Sequence, residues 1–165
     1  MIKTVKIPED RIGVLKSSLK KIEESTNTMI SLDENNVKIN GSPIDVWKAK
    51  DIVKAIGRGF SPVNSLKLLN DDANLEIIEL KKYLKTQKSI KRIKSRIIGR
   101  DGKTRKKIEE YTGSVLSIYG DTVSIISNYE KLYKAKEGIL MLINGATHKK
   151  AVSYTHLTLP TICSV

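Results

Sequence analysis

The sequence predicts an α+β fold of two related units, each a small three-stranded antiparallel sheet with helices packed on one face. Three observations carry that prediction. The chain matches itself without a gap, at a shift of 86 positions, over about forty residues. Both copies switch between helical and strand periodicity in the same order. And 165 residues, 39% of them hydrophobic and 29% charged, have ordinary globular composition, enough for one domain or two small ones.

The elements follow in order. "IKTVKI" near the N-terminus and "LEIIEL" from Leu75 each read as an opening strand. "KKIEESTNTMISLDENNVKI" from Lys20 lies over "KKIEEYTGSVLSIYGDTVSI" from Lys106. In both, a basic helix ending in KKIEE leads into a short alternating run, Met29 to Leu32 or Val115 to Ile118, which reads as a half-buried strand. A turn comes next, at Asp33 to Asn36 or Gly120-Asp121, and then a second strand containing Val37 and Ile39, or Val123 and Ile125. A longer helix closes each copy, with an apolar stripe at Val46, Ala49, Val53 and Ile56, repeated as Leu132, Ala135, Ile139 and Leu142. The register persists at Lys48-Ala49-Lys50 over Lys134-Ala135-Lys136, and at Gly59 over Gly145. Each unit is therefore expected to run strand, helix, helix, strand, strand, helix. Between the copies, "SPVNSLKLLNDDAN" is a connector with a short apolar helix; its Asp71 and Asp72 read as a solvated helix end rather than as metal ligands.

Charge singles out one segment. Lys81 to Lys107 holds thirteen Lys or Arg and one acid, Asp101, which equals the formal net charge of +12 for the whole chain. A surplus of that size points to a polyanionic partner, nucleic acid before an anionic membrane. One cysteine and two histidines leave no disulfide framework and no four-ligand zinc site within the chain. No cofactor, metal or catalytic residue is expected, and His148 and His156 read as incidental. With no apolar run of membrane-spanning length, the chain reads as a soluble cytoplasmic protein without a membrane partner.

At the centre of the basic segment lies "IIGRDGKT", Ile97 to Thr104. Its Gly102-Lys103-Thr104 matches the end of a nucleotide-binding P-loop, but the first glycine of that motif would fall at position 97, which is Ile. The match fails, and a nuclease or nucleotide hydrolase stands only as the weakest alternative to a binding module. Upstream, Ile90, Ile93 and Ile97 are spaced as on a helix, so the loop joins helix to helix. A four-residue turn with glycine at both ends lets a nucleic-acid strand approach the main chain. The following helix then points its amino-terminal amides and positive dipole end at the phosphates. Arg100, Lys103 and Arg105 add mobile positive charge.

The run "RIIGRDGKTRKKIEEYTG" resembles the signature of the K-homology (KH) domain: an aliphatic pair, G-x-x-G, and a further aliphatic residue, here Ile108. The resemblance implies two tandem type I KH domains and a loop that clamps about four backbone nucleotides of single-stranded RNA. It also implies an aliphatic groove for the bases, for which Ile97, Ile98, Ile108, Leu116 and Ile118 are candidates; the alternative for each is core packing. The candidate RNA-binding set is Arg92, Arg96, Ile97, Ile98, Gly99, Arg100, Asp101, Gly102, Lys103, Thr104, Arg105, Lys106, Ile108, Leu116 and Ile118. In the first copy Gly13 lies over Gly99, but Lys16 stands where Gly102 would be; loss of the second glycine or a short deletion in the loop would explain this equally well. That copy reads as a degenerate KH fold, to which no functional residue is carried over.

Gly59-Phe60-Ser61-Pro62 and the run Ser89 to Gly113 extend the likeness. Over about residues 2–152 the chain resembles the archaeal and eukaryotic tandem-KH ribosome-assembly factors that partner the Nob endonuclease. That resemblance implies a non-catalytic factor that binds small-subunit pre-ribosomal RNA near its 3′ end and positions or regulates the processing endonuclease; a monomer is expected, and the alternative is a KH-type RNA-binding subunit of another RNA-processing or transcription complex. The expected divisions are 1–60 for the degenerate copy, 61–74 for the connector, 75–150 for the intact copy and 151–165 for an atypical tail. The tail is set apart because "SYTHLTLPTICSV" contains no charged residue of the Lys, Arg, Asp or Glu type, and it reads as foreign sequence or as a short apolar segment docked on the body.

Overall fold

In a computed structural model, which describes residues 1–156, the contacts divide the chain into two compact units, meeting between Leu75 and Glu76. Each unit is an α+β body built on a three-stranded antiparallel sheet.

In the first unit, strands β1 (Ile2–Lys6), β2 (Met29–Asp33) and β3 (Asn36–Asn40) form a sheet of order β1-β3-β2. The central strand β3 pairs antiparallel with both neighbours, setting Val37 opposite Val5 and Leu32, and Ile39 opposite Lys3 and Ile30. Alternation decides the faces: Val37 and Ile39 are fully buried while Asn36, Lys38 and Asn40 face water. Helices α1 (Ile12–Thr26) and α2 (Pro43–Gly57) pack on the buried side, contributing Leu15 and Ile22, and Val46, Ala49, Val53 and Ile56. Pro43 at the first helical position, its φ already suited to a helix, marks the start of α2. A four-residue helix, α3 (Pro62–Ser65), capped by the Ser61 hydroxyl, follows. Beyond it Asp71 forms an ion pair with Lys48 at 2.6 Å, which holds its carboxyl below the ordinary carboxylate value.

In the second unit, β4 (Ala73–Glu79), β5 (Val115–Tyr119) and β6 (Thr122–Asn128) form a sheet of order β4-β6-β5, with β5 and β6 antiparallel. Helices α4 (Gln87–Ile98), α5 (Lys103–Thr112) and α6 (Tyr129–Ile143) enclose a core of Ile78, Ile90, Ile93, Ile97, Ile108, Leu116, Ile139 and Leu142. A last helix, α7 (His148–His156), packs on α5 and α6 and buries Ala151 and Thr155. A Cβ on Gly138 of α6 would lie 2.5 Å from the Thr155 Cγ2, so the absence of a side chain there lets α7 sit close. Part of the tail set apart on composition thus belongs to the packed body; the rest, 157–165, lies outside the described residues.

The internal repeat reaches atomic detail. Glu23 Oε2 accepts a hydrogen bond from Ile30 N at 3.0 Å, and Glu109 Oε2 accepts one from Leu116 N at the same distance. Thr26 and Thr112 each donate to the carbonyl four residues back, at 2.6 Å, and each bonds the hydroxyl two residues on. Three backbone positions with positive φ recur as well: Asn27 with Gly113, Glu34 with Gly120, and Gly59 with Gly145. All of these pairs lie 86 positions apart.

One expectation for the first unit is overturned. Its sheet is reached from β1 through a three-residue 3-10 turn, Glu9–Arg11, that runs directly into α1, so there is one helix where two were expected. Hydrogen bonds locate the difference. Ile7 N donates to Asn35 O, and Leu80 N donates to Asp121 O. The acceptors stand 86 positions apart but the donors only 73, so the first unit lacks thirteen residues between its opening strand and its next helix. That is one residue more than α4, which spans twelve. Gly13, which lies over Gly99 in the ungapped register, is an ordinary interior residue of α1.

Candidate nucleic-acid interface

The second unit has three positive-φ residues without a counterpart in the first: Gly99, Asp101 and Gly102. They form the connection between α4 and α5. Helix α4 stops because Gly99 takes φ 76° and ψ 175°, a region open in practice only to glycine, while its amide still donates to Ser95 O at 2.8 Å. Arg100 to Gly102 make one 3-10 turn, with Asp101 at φ 55° and ψ 27°, and Gly102 at φ 74° and ψ 13° in the left-handed region. Asp is among the few side chains that tolerate that region. Gly102 N closes the turn on Gly99 O at 3.2 Å.

The two glycines have different duties. A Cβ on Gly99 would come within 2.2 Å of the Thr104 Oγ1, so Gly99 is required by packing against the buried Thr104. Nothing lies within 4 Å of a Cβ placed on Gly102, so its bare side opens to solvent, where a ligand backbone can approach. Helix α5 starts there with no side-chain cap and no acid in its first turn. Its amino-terminal amides and positive dipole end are thus not met by a carboxylate of its own first turn, an arrangement that suits an external anion.

Cations surround the loop unequally. Arg100, Lys103 and Lys106 are exposed, as is Arg92 on α4. Arg105 lies 3.7 Å from Glu109, an ion pair that draws it along the helix. Arg96 is committed elsewhere: its Nη2 donates to Ala146 O just beyond the end of α6. The first unit has a parallel in Arg11, whose Nε and Nη2 donate to Ile56 O and Phe60 O at the end of α2. Both arginines therefore tie down the carboxyl end of the closing helix, a bond across about fifty residues that no local pattern announces. Of the remaining cations in the basic segment, Lys81 pairs with Asp121 and Lys82 with Glu79.

The candidate aliphatic groove divides. Ile97, Ile108 and Leu116 lie in the core, at 0%, 0% and 4% exposure, so they do not offer a surface to bases; they fix the two helices and β5 beneath the loop. Ile98 and Ile118 are half-buried, Ile118 packing against the core from its edge. Among the described residues there is no cluster of His, Cys, Asp and Glu able to hold a metal, and no helix is long and apolar enough to cross a membrane.

Comparison with known proteins agrees with this geometry. Residues 74–158 match the family described as "Eukaryotic type KH-domain (KH-domain type I)". The chain is 44% identical over 163 residues to the KH domain-containing protein MJ0443 of Methanocaldococcus jannaschii, covering 93% of this chain and 72% of that protein. Among solved structures it is similar to Dim2p from Pyrococcus horikoshii, with TM-score 0.88 and 42% identity over 94% of this chain and 98% of that one. A second structure from that organism, of a complex of a/eIF2alpha, aDim2p and rRNA, gives TM-score 0.87 and 42% identity over 94% and 92% of the two chains. A protein of unknown function from Aeropyrum pernix gives TM-score 0.90 and 32% identity over 94% and 89%.

Proposed function

The chain belongs to the type I KH family, and from that premise we propose that it is a non-catalytic factor that binds single-stranded RNA during assembly of the small ribosomal subunit. The observation that carries this reading is the loop from Gly99 to Gly102: glycine-bounded, open to solvent on its Gly102 side, capped by no acid and flanked by Arg100 and Lys103. Such a turn suits a sugar-phosphate backbone lying on the main chain, with Arg100 and Lys103 reaching the phosphates and Ile98 and Ile118 the base edges. The rRNA held by the aDim2p complex supports the same ligand class for this chain.

In finer detail, we infer that the ligand is pre-ribosomal RNA near the small-subunit 3′ end and that the protein positions or regulates the processing endonuclease, acting as a cytoplasmic monomer. The two units are read as tandem KH copies, the first degenerate over 1–60, joined by 61–74 to the intact copy over 75–150. The first copy lacks the loop and serves packing, protein contact or weak RNA contact.

Titration against short RNAs from the small-subunit 3′ end, beside scrambled controls of equal length, tests the reading. Preference for the 3′-end RNAs is expected, and equal affinity for the scrambled set overturns the assignment of the site. Incubation with structured RNA, with and without magnesium, tests the absence of catalysis: cleavage that scales with purified protein overturns it.

A further inference from the structure

Helix α4 carries more positive charge than a four-nucleotide clamp needs, and carries it in the wrong place for one. Its twelve residues, Gln87–Ile98, include five Lys or Arg and no acid. The core takes Ile90, Ile93 and Ile97, at 3%, 4% and 0% exposure. At about 100° per residue, Lys88 then points directly away from that core, with Lys91 and Arg92 flanking it by about 50° on either side. All three are exposed, and none forms an ion pair among the described residues. Lys88 stands eleven residues before Gly99, about 16 Å along the helix from the loop.

This arrangement runs against the helix's own stability. Lys88 with Lys91, Lys88 with Arg92, Lys91 with Lys94 and Arg92 with Arg96 are like charges three or four positions apart, each pair mutually repulsive. Lys88 also sits in the first turn, where the dipole disfavours a cation and no acid offsets it. A face kept only for solubility would interleave acids, as α1 does with its two lysines and two glutamates in KKIEE. Local rules broken together at one surface mark a ligand that relieves them.

We propose that the solvent-facing side of α4, through Lys88, Lys91 and Arg92, is a second RNA-backbone site that holds nucleotides flanking the segment clamped at Gly99–Gly102. The inference rests on the RNA-binding reading above and extends its footprint to the far end of α4. The ligand is the phosphate chain, read without base contacts, so this site adds affinity and orientation for long RNA but no sequence preference.

The test compares a tetranucleotide with an RNA of about twenty nucleotides that contains it, on the full chain. For the double variant Lys88→Gln, Lys91→Gln, which leaves Arg92 in place, affinity for the long RNA is expected to fall roughly fivefold or more at low salt. The slope of log affinity against log salt should lose about 1.4, at about 0.7 for each cation on a single strand. Affinity for the tetranucleotide should change less than about twofold. A control double of the same charge change, Lys20→Gln, Lys21→Gln on the exposed side of α1, should leave both RNAs nearly unaffected. Melting of the α4 variant at or above wild type is expected, since like-charge pairs are removed, so a binding loss reports the site. Equal losses for both RNAs, equal losses from the control double, or no loss for the long RNA each overturn the α4 site while leaving the loop reading intact. Failure of wild-type protein to bind either RNA overturns both.

Discussion

Gly99 and Thr104 are in contact at the root of the loop: a Cβ on Gly99 would stand 2.2 Å from the Thr104 Oγ1 and 2.7 Å from its Cβ. Alanine at Gly99 therefore combines a forbidden backbone region with a collision against a buried side chain, and is expected to cost about 2–4 kcal/mol. Alanine at Gly102 meets nothing within 4 Å and should cost only about 1 kcal/mol for its left-handed backbone. Denaturant unfolding of the two variants checks the order; equal losses would mean that the two glycines do not divide packing from access.

Arg100→Asp places a second carboxylate beside Asp101 on an exposed turn, so folding should be unchanged. RNA affinity should fall well over tenfold through phosphate repulsion. Lys16→Asp lies in α1 of the unit without the loop and should do far less. RNA anisotropy and thermal melting on the same preparations decide it, and unchanged affinity in Arg100→Asp would count against the loop.

Arg96 separates structure from binding. Its bond to Ala146 O secures the end of α6, so Arg96→Gln should lower stability by about 1–2 kcal/mol while weakening RNA binding less than Arg100→Asp does. Arg11→Gln, which loses the bonds to Ile56 O and Phe60 O, should destabilise comparably. An Arg96→Gln protein that melts like wild type but loses RNA would reverse the assignment.

Asp51 on α2 has its carboxyl pushed above the ordinary value by burial, against the opposing pull of Lys50 and Lys54. A raised folded-state value means the carboxyl favours folding when protonated and loses that advantage as pH rises through the folded value. Asp51→Asn is therefore expected to melt higher than wild type at neutral pH, the difference shrinking as pH falls below the ordinary carboxylate range. Melting of both proteins across that range is the measurement; a difference that grows toward acid would contradict it.

The legible parts of the molecule were those encoded locally. The stripe at Val46, Ala49, Val53 and Ile56 and its repeat at Leu132, Ala135, Ile139 and Leu142 need only helical spacing, and all eight are buried. The loop was legible because glycine at both ends of a basic turn has few other uses. What stayed hidden was set by distant partners. Ile97 and Ile108 share the aliphatic character of a base-contacting edge, and only the packing of two helices on one sheet assigns them to the core. Arg96 looked like one more cation of the basic run until Ala146, fifty residues on, gave it a carbonyl to hold. The ungapped register also hid the missing thirteen residues of the first unit, because its match from Lys20 onward is unaffected by a deletion upstream.

That deletion sets the terms for any attempt to re-engineer the first unit. Writing glycine back at Lys16 would only weaken α1, which runs unbroken through that position. No turn exists there for a bare Cα to expose. Building a turn of the Gly99–Gly102 kind into this half requires transplanting a contiguous cassette, the whole helix-and-turn insert between opening strand and α1, so that restoring it is a matter of segment length rather than of residue identity.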